Sequence, residues 1–164
     1  MRLYIVRHGI AVDREDPDCP AEAERHLTDE GMLRTREAMR GLRAAGARPA
    51  AMLTSPYVRA AQTAEIAAEV FELDPKRIRA TDALLPAADP KRILAELARS
   101  KADEVACFGH APHVDELIAA AVGAGGAFTE LKKAGAACLD FGEVRAGGGV
   151  LVGLYPAGLL RKLG

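Results

Sequence analysis

Short apolar runs alternating with stretches of helical periodicity constrain this chain more than any other feature. Leu3–Val6, Ala51–Thr54 and Val105–Phe108 are runs of strand length, and Ile78–Thr81 reads as a further strand. Between them Met32, Thr35, Met39 and Leu42 recur at helical spacing. So do Ile66 and Val70, then Ile93, Leu94 and Leu97, then Val114, Leu117, Ile118 and Ala121. Strand and helix in alternation predict an α/β three-layer sandwich, a mainly parallel central sheet with helices on both faces. Two last runs, Ala137–Phe141 and Val150–Tyr155, predict a hairpin-like end.

The punctuation between these segments agrees. Thr28 is a good N-cap, and Asp29 and Glu30 after it suit the positive end of a helix dipole. Gly46 and Pro49 close that helix. Pro56 cannot continue a ladder, so the chain turns after Thr54 and a helix opens at Arg59, running to about Phe71. Ile10–Arg25, with Pro17 and Pro20, is acidic and turn-rich, and loops of that length in compact domains are often functional.

A chain of 164 residues fits one domain, spanning 1–164, with a real core. The formal net charge of -1 argues against the broad basic face of a nucleic-acid binder, but it leaves room for a local positive pocket. Leu117–Thr129, the least polar stretch, is too short and too broken by glycine for a membrane span. The first residues already form a strand, so no signal peptide is expected. Cys19, Cys107 and Cys138 are odd in number and lack a Cys-x-x-Cys pair, which suits free thiols in the cytoplasm.

The strand ends carry the chemistry. Arg7, His8 and Gly9 follow the first strand, Arg59 follows the second by a turn, and Gly109-His110 follows the fourth. In an open α/β sheet these positions share the rim at the carboxyl ends of the strands, where such sheets bind ligands. One arginine there marks no more than a strand leaving the core; two arginines and two histidines after three strands mark a site. Guanidinium groups match phosphoryl oxygens and keep their charge. A neutral imidazole beside them is a covalent nucleophile, and the neighbouring cations help to keep it unprotonated. A second imidazole, if protonated, stabilises charge on the equatorial oxygens during transfer. The set describes phosphoryl transfer through a phosphohistidine intermediate, completed by water.

At this point the chain resembles a known family. Arg7-His8-Gly9, Ser55-Pro56-Tyr57-Val58-Arg59-Ala60-Ala61-Gln62-Thr63-Ala64 and Gly109-His110 are similar, in order, to the motifs of the histidine phosphatase superfamily, with its phosphoglycerate mutase-like fold. Arg25-His26-Leu27-Thr28-Asp29-Glu30-Gly31 and His110-Ala111-Pro112 resemble its small SixA-type phosphohistidine phosphatases. The resemblance implies His8 as nucleophile, Arg7 and Arg59 holding phosphate with Gly9 beside them, and His110 completing the pocket. Arg25 is implied as a further phosphate or substrate contact. No cofactor and no metal are implied. The implied partner is a phosphorylated histidine-containing carrier or signalling domain, with inorganic phosphate as product.

One departure bears on the substrate. Many superfamily members place a glutamate after the third strand to protonate an ester's leaving oxygen, and between Thr81 and Pro90 the nearest acids are Asp82 and Asp89. An alkoxide needs such an acid, whereas a phosphorylated imidazole is already activated. A small-molecule phosphomonoesterase using Asp82 or Asp89 is the alternative, and a non-catalytic module that binds phosphate or phosphoprotein is a third reading. Other signals count for less. His110-Ala-Pro-His113 lacks the further ligands of a metal site, and Gly123-Ala-Gly-Gly126 lacks the ending of a phosphate loop. Ser55 reads as loop geometry, and Lys132-Lys133 and Arg161-Lys162 read as ordinary surface.

Overall fold

The structure is a computed structural model describing residues Met1–Gly164. Its elements run β1 (Arg2–Arg7), α1 (Asp29–Ala44), β2 (Ala51–Thr54), α2 (Val58–Phe71), β3 (Ile78–Ala80), α3 (Pro90–Leu97), β4 (Glu104–Gly109), α4 (His113–Val122), β5 (Ala136–Phe141), β6 (Gly149–Tyr155) and α5 (Ala157–Leu163). The six strands form one sheet in the order β3-β2-β4-β1-β5-β6. The β2–β3, β2–β4 and β1–β4 pairs are parallel, whereas β5 runs antiparallel to β1 and β6 antiparallel to β5. The expected sandwich with a mostly parallel sheet is therefore present.

The apolar runs are explained by their place. β1 lies between β4 and β5 with a layer of helix on each face, so both sets of alternate side chains must be apolar. Leu3 and Ile5 join Val105, Cys107 and Leu139 under Ile93, Leu97, Leu117 and Ile118 of α3 and α4. Tyr4 and Val6 join Met52, Ala106 and Phe108 under Met39, Leu42, Ala64 and Leu160, from α1, α2 and α5. Full burial of a side chain the size of Met39 or Leu42 stabilises the fold by about 1.5–3 kcal/mol. Thr28 caps α1 as expected, its Oγ accepting from Gly31 N at 3.0 Å.

Two details differ from the sequence reading. Met32, on the apolar stripe of α1 by spacing, is 37% exposed. The C-terminal helix α5 was not anticipated; it has only seven residues and includes Gly158. It is held by tertiary packing: Leu160 is fully buried, and its carbonyl lies so close to α1 that a Cβ at Gly41 would sit 1.8 Å away. No helix is long and apolar enough to cross a membrane.

Strand register delivers the site. Arg7 is level with Gly109 and Thr54 with Phe108, so β1, β4 and β2 end together. His8 N donates to Gly109 O at 2.9 Å and Ser55 N to Phe108 O at 3.0 Å, which carries the alignment one residue past the strands.

Candidate active site

The rim formed in this way is the mouth of a cavity of about 410 Å³, lined by Arg7, His8, Arg14, Arg25, Arg59, His110 and Lys133 together with Asp13 and Glu15. Arg7, His8, Arg59 and His110, expected together from the strand ends, all line it. The rings of His8 and His110 lie 5.1 Å apart between centroids.

The tautomer of His8 follows from its partners. Nδ1 lies 2.7 Å from Gly9 O, and a carbonyl oxygen only accepts, so Nδ1 carries the proton. Nε2 then holds a lone pair, towards which Arg59 Nε donates at 3.2 Å. Burial, and behind it the charges of Arg59, Arg7 and Lys133, pushes His8 down to about 3 against the opposing bond to Gly9. Burial, then His8 and Arg59, likewise pushes His110 down to about 3. The ligand-free site thus holds two neutral imidazoles, so the protonated His110 considered from sequence is not its resting form. His110 Nε2 pairs with Ser55 Oγ at 2.8 Å, while its Nδ1 and the Nε of Arg7 are buried without partners.

This arrangement makes stability pH-dependent. Both histidines stay neutral in the fold down to about 3, whereas the unfolded chain protonates them near 6.5. Between those values the unfolded state binds more protons, so their contribution is full above 6.5 and is lost as pH falls towards 3. Unfolding by urea at pH 4.5 and 7.5 is expected to differ by on the order of 2–5 kcal/mol. A His8→Gln/His110→Gln variant should lose most of that difference.

The segment from Ser55 to Thr63 acts as a bracket. Ser55 Oγ accepts from Tyr57 N at 3.3 Å as well as meeting His110, and the Tyr57 ring packs edge-on to His110 with centroids 5.2 Å apart. Arg59 lies over the same tyrosine, 5.2 Å from the ring centroid. Gln62 Oε1 accepts from Leu27 N at 2.7 Å, and Thr63 Oγ accepts from Gly9 N at 3.1 Å. Ser55, read from sequence as loop geometry, is thus also a partner of His110.

Two expected contacts have other duties. Gly9 is not on the cavity wall; its N–H is committed to Thr63, and a Cβ there would lie 2.2 Å from Thr35 Oγ1, so glycine serves close packing. Arg25 lines the cavity, but its fork is largely spent on Val12 O, at 3.0 and 2.6 Å, and on Glu22. Neither Asp82 nor Asp89 reaches the cavity, and the Asp89 carboxylate caps α3 through Lys91 N at 2.9 Å. His113 begins α4 fully buried, with neither ring nitrogen paired.

Sequence reasoning missed Lys133, Arg14 and Glu22. Lys133, taken for surface, is brought to the cavity because Ala134 N donates to Arg7 O and His8 O at 3.0 and 3.2 Å. The signal lay in the antiparallel pairing of β5 with β1, which no local pattern reveals. Arg14 and Glu22 lie in the long loop, where the only signal was the length of the segment itself.

Known proteins share this fold. The family model described as histidine phosphatase superfamily (branch 1) matches residues 3–84, half of the chain. An uncharacterized protein of Picosynechococcus sp. is 38% identical over 149 residues, covering 88% of each chain. Among solved structures, the protein histidine phosphatase SixA complexed with tungstate superposes with a TM-score of 0.86 at 24% identity, covering 98% of this chain and 99% of that one. The mycobacterial glucosyl-3-phosphoglycerate phosphatase complexed with VO3 gives 0.72 at 17% identity, covering 94% and 99%. These superpositions speak for the fold, and the family model speaks for descent: the chain belongs to the histidine phosphatase superfamily, branch 1.

Proposed function

We propose that the chain is a metal-independent phosphohistidine phosphatase acting on a phosphorylated carrier or signalling domain in the cytoplasm. The observation that carries the reading is the unprotonated Nε2 of a neutral His8 at the wall of a cavity shared with Arg7, Arg59 and His110. As Arg59 Nε turns from His8 to a phosphoryl oxygen, the Nε2 lone pair is freed and attacks phosphorus; the P–N bond to the substrate imidazole breaks, and that nitrogen leaves with its electron pair and takes up a proton from solvent. Arg7 and Arg59 hold the equatorial oxygens; the unpartnered Arg7 Nε is a donor that an anion would satisfy, and His110 Nδ1 is another in the tautomer whose Nε2 accepts from Ser55 Oγ. Water then attacks phosphorus, the P–Nε2 bond breaks, and phosphate is released. The cationic duty falls on guanidinium groups. The SixA likeness and the absence of Asp82 and Asp89 from the cavity support a phosphorylated imidazole as donor. Two of the three free cysteines are buried, which suits a reducing compartment.

Asp13 and Glu15 on the cavity wall favour a second reading, a phosphomonoesterase in which one of them protonates an alkoxide. A panel of phosphohistidine protein, phosphoserine peptide and sugar phosphates separates the two. The phosphohistidine substrate is expected to turn over fastest, with Asp13→Asn and Glu15→Gln costing it less than threefold. Faster ester turnover that collapses in either variant would establish the second reading, and phosphate binding without any turnover would leave a binding module.

A further inference from the structure

Glu22 lies outside the cavity wall, yet three wall residues converge on it. Its Oε1 accepts from Arg59 Nη2 at 2.7 Å and from Arg14 Nη2 at 2.9 Å, and its Oε2 accepts from Arg14 Nε at 3.0 Å and Arg25 Nη1 at 3.1 Å. Its main-chain oxygen accepts from Arg59 Nη1 at 2.7 Å. Residue 22 therefore grips both outer nitrogens of Arg59 from behind, leaving Nε to reach His8. The Arg59 side chain is 3% exposed, and Glu22 is the sole carboxylate within ion-pair distance of it. A buried cation without a counter-ion is costly, and three guanidinium groups gathered without one repel each other.

We propose that Glu22 is a positioning residue that assembles Arg14, Arg25 and Arg59 into one anion-binding wall and aims Arg59 at the phosphoryl position beside His8. The assignment rests on the phosphoryl-site reading and extends it into the long loop between β1 and α1. One carboxylate among three guanidinium groups leaves the cluster net positive, so it organises the wall without cancelling its attraction for a dianion. Because the residue stands outside the cavity, it does this without occupying the space of the substrate. The same bonds make Arg14, which is largely exposed, the member of the wall best placed to meet the substrate beyond its phosphoryl group.

Titration of the folded protein with tungstate by calorimetry tests the assignment apart from turnover. Glu22→Gln is expected to weaken tungstate binding by about 10- to 100-fold, the size seen when supporting partners of a site are removed. Steady-state kinetics should place most of the loss in KM, and Glu22→Asp should recover part of it. Glu24→Gln, a neighbour outside the cluster, should bind as wild type; Glu22→Gln should melt several degrees lower, since it leaves the buried Arg59 without its counter-ion, and the titrations are run well below that temperature. Wild-type binding with an equal or tighter Glu22→Gln complex would overturn the positioning role alone. A wild-type protein that does not bind tungstate would overturn the phosphoryl site and this role together.

Discussion

Replacing His8 with alanine is expected to lower turnover of phosphohistidine protein by about 10⁴-fold or more, the scale on which loss of a covalent nucleophile is felt. Arg7, Arg59 and His110 would remain to bind the dianion, but no lone pair would stand in line with phosphorus. Burial and the nearby cations keep the imidazole neutral, so the wild-type nucleophile needs no separate base. Rapid mixing followed by an alkaline quench should trap a phosphoryl label on the wild-type chain, stable to alkali and lost in acid. The same label should be missing from His8→Ala. A variant that hydrolyses the substrate at the wild-type rate would refute the covalent route. The ring makes one bond to Gly9 and one to Arg59, so the fold should survive and binding of tungstate should persist.

Arg59→Lys is the second large effect, expected to reduce kcat/KM by about 10²- to 10³-fold despite conserved charge. Arg59 uses one side chain for three tasks: Nε meets His8, the two outer nitrogens meet Glu22, and the guanidinium plane covers Tyr57. A lysine ammonium is a single point on a flexible stem and cannot hold that fork. An ammonium that no longer touches His8 depresses the imidazole less than the guanidinium does, so the acid limb of the variant's pH–rate profile should move upward. Activity within threefold of wild type would show that phosphate is held elsewhere.

What sequence made legible was whatever a single element expresses alone. The buried strands show as apolar runs because both faces are covered, and Arg7-His8 and Gly109-His110 stand out because each run stops at charge or imidazole. The cap at Thr28 and the turn at Pro56 are local chemistry too. Lys133 was not legible because its position depends on β5 pairing with β1, residues more than a hundred apart. Glu22 was hidden among Asp13, Glu15, Asp16, Asp18 and Glu24, acids in one aperiodic loop with no pattern to single out the one that meets arginine. Helix α5 was too short to declare itself, with a glycine at its second position, and it packs where α1 offers Gly41 as a flat surface.

The strand order also has a temporal meaning. β1 precedes both strands that flank it, β4 and β5, which begin at Glu104 and Ala136. A nascent chain that has released β1 and α2 already carries His8, Arg7 and Arg59, yet has no ladder on either side of β1 to align them. His110 and Lys133 arrive with the later strands, and the imidazole is desolvated only when they close around it. The alignment of His8 with Arg59, His110 and Lys133 is therefore a long-range property of the chain, set only when the middle of the sheet is filled from both sides.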